Sequence, residues 1–491
     1  MRTWLCAALI THAVLGTAIL AQGCGSSDCA FTATCGEPFD AGGDASVTWP
    51  QGCAPNTKPK EKKPECISDT IGIFVSSAKG HDDTGNGSKD NPFKTVKRGI
   101  EALTKQRFRL HVCAGEYGEK LELTASQSGF ELYGGFVCDG WGYTGERAKI
   151  LGGAGGTALS LNGVNRLTVE DLELSSQDAA DPGVSSVAVF VNASTDVRFE
   201  RVKFVAGKGA NGANGTLVPF PPLSSGELQG KGGTAAAGGE PRTVSCQDGL
   251  TSTGGKGGDR DGDGARGLPI IAGSPGAGAA GTAATCKGGA SGGNGANGLA
   301  GDNAPRISSV GTLATSGWSG QSGGKGQHGS PGQGGGGGGG GTTGTGGGGG
   351  AGACGGTGGP GGQAGGSSIA LASYQSSVTL VGSELIVANG GAGGKGAAGQ
   401  HLGVSTGGNR GVADPSGNGC NGGSGGGGGD GGGGAGGAGG LSVDVVWKEG
   451  RPTLDDATRG QARFGTAGAL GPGGAGNDGV AGVAQAELQV Q

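Results

Sequence analysis

The sequence predicts an all-β fold, a parallel β-helix whose short strands stack coil upon coil, interrupted by long glycine-rich insertions. Three observations carry this. Leu159, Leu161, Asn162, Leu167, Val169, Leu172 and Leu174 return thirty positions later as Val189, Val191, Asn192, Val197, Phe199, Val202 and Phe204. Each copy is three short runs, apolar at every second residue and broken by turn residues such as Asn162-Gly163 and Ala193-Ser194. Glycine makes up 124 of the 491 residues and aromatic residues only 4%, which excludes one large packed core.

A coil of three strands cannot bury its apolar row alone. It stacks on the next coil at about 4.8 Å, and self-similarity at this period marks such a solenoid. The repeated Asn162 and Asn192 fit an internal amide ladder. That ladder explains Asn192 better than the formal glycosylation sequon Asn192-Ala193-Ser194 does. Ile369, Leu371, Val378, Leu380, Leu385 and Val387 echo the same coil, and the strand Leu441 to Trp447 follows.

At the start, Arg2 precedes an apolar run from Trp4 to Ala21 that reads as a secretory signal. Its end, Leu20-Ala21-Gln22-Gly23-Cys24, resembles the lipobox of bacterial lipoproteins, which implies a lipid anchor on Cys24. Gly23 and Cys24 fit, whereas Ala21 and Gln22 stand where Leu and a small residue are usual; ordinary cleavage after Ala21 is the alternative. Setting aside Cys6 and Cys24 leaves an even set of cysteines, the pattern of an exported, disulfide-bonded chain. Cys113 and Cys138 lie about one turn of the solenoid apart and are expected to bridge adjacent coils. Proximity in sequence pairs Cys246 with Cys286 and Cys354 with Cys420. The stretch from Cys24 to Cys66, with its run Lys58-Pro59-Lys60-Glu61-Lys62-Lys63-Pro64, reads as a solvated tether.

Strands follow at Ile71 to Val75, Phe108 to Val112, Leu121 to Leu123 and Phe130 to Leu132. Between the first two, Asn91 can cap a helix with Pro92 at its first position. Phe93, Val96, Ile100 and Leu103 then share one face, as an end cap for the solenoid requires. Here the residues resemble a known family. Val75-Ser76-Ser77-Ala78, Gly85-Asn86-Gly87, Asn91 to Val96, Ile100 to Leu103, Ala114-Gly115-Glu116-Tyr117 and Leu132 to Phe136 look like the opening of secreted bacterial right-handed β-helix proteins of the pectin-lyase-like type. The resemblance covers residues 71 to 205, and its motifs imply fold, with a right-handed coil, much more than activity.

After Phe204 the composition changes, and most glycines fall in two tracts, Gly207 to Gly366 and Asn389 to Gly440. These resemble the PGRS-type sequences of exported bacterial proteins, without the amino-terminal domain that accompanies them in mycobacteria. Proline is scarce and there is no strict third-position glycine, so they are not collagen. Ordering glycine costs more backbone entropy than ordering any other residue, so disorder is the default expectation. Bundled polyglycine II strands tied by cysteines are the alternative. The predicted organisation is signal 1–23, tether 24–66, β-helix with capping helix 67–206, glycine-rich insertion 207–366, one coil 367–388, a second insertion 389–440, and C-terminal strands and tail 441–491.

Chemistry is sparse. Asp259, Asp261 and Asp263 match the first half of a calcium loop, but the twelfth position is Ile270 in place of the glutamate such a loop requires, so no cofactor is expected and calcium is the weak exception. The thirty-residue offset stacks Glu170 under Glu200 and Asp171 under Arg201, an arrangement that could serve acid-base chemistry or be a surface charge pair. His81, His111, His328 and His401 are isolated in sequence, and no nucleophile–base arrangement can be assembled. Net charge of −5 and a pI near 5.6 give no electrostatic reason to expect nucleic acid. The expectation is an exported, lipid-anchored outer-membrane or cell-surface protein, structural or adhesive, with envelope or extracellular glycans or proteins as partners. The alternative is a polysaccharide lyase or glycoside hydrolase using Glu170, Asp171, Glu200 and Arg201.

Overall fold

A computed structural model of the chain describes residues 47–274, 277–283, 291–403 and 406–491. The signal segment, Cys24, Cys29, Cys35 and Cys286 lie outside them. The chain first lays down β1 (Gly72–Val75), helix α1 (Val96–Glu101), β2 (Arg109–Cys113), β3 (Glu116–Tyr117), β4 (Leu121–Thr124), β5 (Glu131–Phe136), β6 (Tyr143–Glu146) and β7 (Ala148–Ala154). Regular triplets follow: β8 (Thr157–Asn162), β9 (Asn165–Glu170), β10 (Leu172–Gln177), then β11 (Ser186–Asn192), β12 (Thr195–Glu200), β13 (Lys203–Ala206). Two small hairpins, β14 (Thr243–Ser245) with β15 (Thr251–Thr253) and β16 (Gly311–Ala314) with β17 (Gly317–Gly320), interrupt them. The triplets then resume with β18 (Ser368–Tyr374), β19 (Val378–Val381), β20 (Glu384–Val387), and β21 (Ser442–Lys448), β22 (Thr453–Leu454), helix α2 (Asp456–Gly460), β23 (Ala462–Arg463) and β24 (Ala484–Gln489).

These strands form three mainly parallel sheets. The first runs β1-β2-β5-β9-β12-β19-β22 with β6 antiparallel on β5, the second β23-β20-β13-β10-β7-β3, and the third β24-β21-β18-β11-β8-β4. Successive strands in sequence visit the third, first and second sheets in turn. The thirty-residue offset is the hydrogen-bond register: Leu159 faces Val189, Leu167 faces Val197 and Leu174 faces Phe204. The later echo also lies in register, Val197 facing Val378 and Phe204 facing Leu385. The side chains of these rows are buried together in one apolar core.

Between the third and first sheets the chain turns at a residue in the left-handed region, with φ of 67° at Gly163, 45° at Ala193, 48° at Gln375 and 54° at Glu449. Beside that turn Asn192 donates its Nδ2 to Asn162 Oδ1 at 2.7 Å, so the expected amide pair forms, but Asn162 is exposed and the pair is not internal. The ladder has this single rung because Tyr374 occupies the next place.

The opening helix differs from expectation. It begins at Val96 behind the N-cap Thr95, whose hydroxyl accepts from the Arg98 N–H at 3.2 Å. Asn91 and Pro92 belong instead to a tight loop, and Phe93 pairs with β1 as an isolated parallel bridge. Backbone bonding along β1 outweighed the capping signal. α1 packs on β1 and β2, where a side chain on Gly99 would collide with Val75 and Leu110.

The glycine tracts are ordered, which overturns the default expectation. At every third residue from Gly347 to Gly365 the N–H donates to a carbonyl in the parallel segment from Cys420 to Ala438. Gly323, Gly326, Gly329, Gly332, Gly335 and Gly338 donate to Gly362, Gly359, Gly356, Ala353, Gly350 and Gly347, an antiparallel neighbour on another side. Intervening residues reach further segments, as when Gly349 donates to Gly255 and Gly348 to Lys231. Three directions of bonding at a period of three is a packed bundle of polyproline II-type helices, each making its hydrogen bonds to neighbours and none internally.

Glycine is needed here for the missing Cβ. Among the described residues, no glycine from 323 to 366 or from 407 to 440 has a positive φ. A Cβ on Gly337 would stand 1.8 Å from the Lys256 carbonyl oxygen, and one on Gly349 1.9 Å from that of Gly335. At the rim, asparagine takes over from backbone. Asn211 and Asn214 accept from the N–H groups of Ala392 and Lys395, and Asn294, Asn297 and Asn303 from those of Ser424, Gly427 and Gly433, all at 2.7–2.9 Å. Paired backbone groups therefore replace the apolar side chains that the tracts lack.

The bundle grows from the connections between the second and third sheets. A serine stands at that junction each time: Ser186 accepts from Gly207 N–H, Ser368 from Ala388 and Ser442 from Gly465, at 2.8–2.9 Å. Cys113 is bonded to Cys138 and Cys53 to Cys66. Cys246 is bonded to Cys354, which corrects the pairing by sequence proximity, and Cys420 is also disulfide-bonded. Lateral packing of the helices, not closeness along the chain, decides which thiols meet.

Gly337→Ala is expected to destabilise the protein by about 3 kcal/mol or more, because its surroundings are backbone and cannot give way. Gly324→Ala, whose Cβ would meet only Ala304 at 3.6 Å, should stay within about 0.5 kcal/mol. Chemical denaturation of the two variants checks the contrast.

Candidate functional site

β9 and β12 end on Glu170 and Glu200, which face each other in register. One residue further on, Asp171 and Arg201 turn the chain towards the second sheet with φ of 54° and 53°. Like carboxylates stacked on neighbouring strands repel, and here both are buried. They persist because cations converge on them. Arg201 reaches Asp171 at 2.8 Å, Glu170 at 2.8 Å and Glu200 at 2.5 Å. Lys58 bridges Glu170 and Glu200, and Lys60 pairs with Glu200. Tyr143 donates to Asp171 at 2.7 Å.

The four residues that the repeat singles out are thus brought together, while Lys58, Lys60 and Tyr143 complete the cluster. Within the lysine run, expected to be a solvated linker, Lys58 and Lys60 engage the carboxylates while Lys62 and Lys63 remain exposed. The described part of the tether, held by the Cys53–Cys66 bond, lies over the outer face of the first sheet. Trp49 stands 5.2 Å from the guanidinium of the buried Arg109, which pairs with Glu131 at 2.8 Å. The signal was visible in sequence as a lysine cluster and a carboxylate stack, two complementary charges with no stated connection.

The electrostatics describe a neutralised network. Burial would raise the Glu200 carboxyl, but hydrogen bonds and charge from Lys60 and Lys58 outweigh it and hold the group far below the usual carboxylate range. Burial would lower Arg201, and Asp171 with Glu170 reverse this and raise it. The Tyr143 hydroxyl is pushed up to about 12 by burial and by its bond to Asp171. A general acid or base needs a group poised near neutrality and within reach of substrate. Neither Glu200 nor Tyr143 is poised so, and the lysines stand over the carboxylates.

Elsewhere the candidates disperse. Asp259 accepts from Gly238 N–H and Asp263 from Ala283 N–H, two different bundle segments, while Asp261 turns the chain between them with φ of 54°. No cluster of three or more His, Cys, Asp or Glu suited to a metal occurs among the described residues. His111 is buried, stacked on Phe74 at 4.8 Å, and His401 pairs with Asp430 at 2.6 Å.

The sequence reading missed Asp444. It lies in β21 at the place that Ala158, Ala188, Ala370 and Ala486 hold in the neighbouring strands. The segments Ser186-Val187-Ala188, Ser368-Ile369-Ala370 and Ser442-Val443-Asp444 show the substitution once aligned. The side chain is fully buried with neither carboxylate oxygen hydrogen-bonded, and burial pushes the group up to about 7.

No protein family, curated protein or solved structure matches this chain.

Removing the central cation should expose the cost of the network. Arg201→Met leaves three buried carboxylates short of a partner and is expected to cost about 3–5 kcal/mol. Lys60→Ala, whose side chain is 41% exposed, should cost under about 1 kcal/mol. Because Glu200 is held low when folded, its contribution is complete above about pH 4.5 and declines as pH falls. Urea titrations from pH 3 to pH 7 check both statements. Asp444 has the opposite sign: its raised folded value makes stability fall as pH rises from about 4 to 7. Asp444→Ala should therefore be more stable than the parent at pH 8 by on the order of 3–4 kcal/mol, the gap narrowing towards pH 4. A gap that stays constant with pH would rule out this origin.

Proposed function

We propose that the protein is a non-catalytic envelope or surface component, a right-handed parallel β-helix capped at its start by α1 and carrying a rigid glycine bundle. It is exported, anchored through a lipid on Cys24, and binds glycans or proteins of the envelope or its surroundings. One observation carries the reading: the cluster of converging carboxylates on the wall of the first sheet is neutralised by Arg201, Lys58 and Lys60 beneath a disulfide-held cover. The bundle, built on paired backbone, offers few positioned acids or bases. The disulfides fit an oxidising compartment. Among the described residues no helix is long and apolar enough to cross a membrane.

The convergence of Glu170, Asp171, Glu200 and Arg201 also supports a second reading, a polysaccharide lyase or hydrolase whose cover is displaced by substrate. Purified protein incubated with polyuronates and neutral glycans, with and without calcium, is expected to sediment with envelope material and to depolymerise nothing. Depolymerisation lost in Glu200→Gln would establish the enzyme instead. Metabolic labelling with a tagged fatty acid should mark the protein and fail with Cys24→Ala; label that survives the substitution refutes the anchor.

A further inference from the structure

The hairpin of β16 and β17 does not join the sheets. It lies against the outer face of the third sheet, where Leu313 packs with Ile369 and Ala372, and where the Trp318 indole N–H donates to Ser367 Oγ at 2.9 Å. Between hairpin and sheet is a cavity of about 390 Å³, within the roughly 300–1,000 Å³ range of small-molecule sites. It is lined by Phe190, Val187 and Ala372 of the sheet, by Trp318 and Ser316 of the hairpin, and by Thr157 and Gln363.

Two properties define what such a cavity accepts. None of its lining residues is Asp, Glu, Lys, Arg or His, so a charged ligand would lose its hydration without gaining a counter-charge. Trp318 and Phe190 are both partly exposed, and the hydroxyls of Thr157 and Ser316 make no hydrogen bond within the described structure. Aromatic surface beside unengaged hydroxyls suits a neutral ligand with an apolar face and a polar rim. A hexopyranose ring has that form: one face of C–H groups, and hydroxyls at the edge.

We propose that this cavity binds a neutral hexopyranose unit of a glycan, with Trp318 and Phe190 contacting the ring and Thr157 and Ser316 bonding its hydroxyls. The proposal rests on the binding reading above and names where and what the protein binds. It involves no group on the carboxylate wall.

Calorimetry of the purified full chain with cellohexaose, maltohexaose, mannohexaose and hexagalacturonate tests it. At least one neutral hexaose is expected to bind and hexagalacturonate to be at least about tenfold weaker. Trp318→Ala should weaken neutral binding by about tenfold or more. Thr157→Arg, a change at a partly exposed position of β8 in register with Val187, should do the same by filling the cavity while leaving the melting temperature close to that of the parent. Binding of neutral hexaoses retained in Thr157→Arg would overturn the site and leave the binding reading standing. Preference for hexagalacturonate would overturn the ligand class. If no hexaose binds while the protein still sediments with envelopes, the inference alone falls; if neither occurs, both fall.

Discussion

Backbone hydrogen bonding between neighbouring segments at fixed register is the interaction on which the whole structure depends. In the sheets it recurs with side chains alternating in and out; in the bundle it recurs at every third residue and excludes side chains from the interior. The two regimes are continuous. Gly362 and Gly365 donate to Ala435 and Ala438, Ser368 donates to Leu441, and immediately afterwards β18 and β21 pair as strands. The parallel register set in the bundle is thus handed to the third sheet almost unchanged. Ser186, Ser368 and Ser442 stand at that junction, and each binds the backbone where the chain leaves the second sheet.

What the sequence disclosed follows from which physical signals lie in side chains. The apolar rows Leu159/Val189 and Val169/Phe199, the Asn162/Asn192 pair and the Glu170/Glu200 stack all lie in register because a parallel sheet aligns equal positions of a repeat. The bundle was hidden because its cohesion lies in the backbone, which composition cannot display. A trace was present. Gly209-Ala210-Asn211-Gly212-Ala213-Asn214-Gly215 carries glycine at each third place and asparagine beside it, the signature of a rim helix with one face inward. The uninterrupted run Gly334 to Gly341 marks a helix buried on all sides. The pairing of Cys246 with Cys354 depends on lateral packing and left no mark at all.

The carboxylate wall and Asp444 show two outcomes for a charge taken out of water. At Glu170 and Glu200 the chain supplies Arg201 from the turn that follows β12 and Lys58 from a distant, disulfide-held loop, so the charges remain and fasten the cover to the sheet. At Asp444 nothing is supplied, and burial instead raises the carboxyl towards neutrality. The first arrangement links two parts of the chain far apart in sequence. The second replaces an alanine at a repeated core position and gains no partner, so the fold bears its cost without a visible structural return.

A bundle whose interior is backbone separates stability from surface chemistry in a way that a side-chain core does not. In a packed apolar core each inward residue is constrained by the volume of its neighbours. Here the main inward requirement is that no Cβ be present, and exposed positions such as Lys395 and Leu299 differ in kind within the same hydrogen-bond scheme. The helices rise about 3.1 Å per residue, so a residue type repeated at every third position recurs about 9 Å apart along one face. Such a lattice holds surface groups at regular intervals with only a small apolar cluster of its own, Leu228, Val244, Ala351, Ala353 and Cys354. That property suits display and contact better than catalysis, which needs side chains locked by packing behind them.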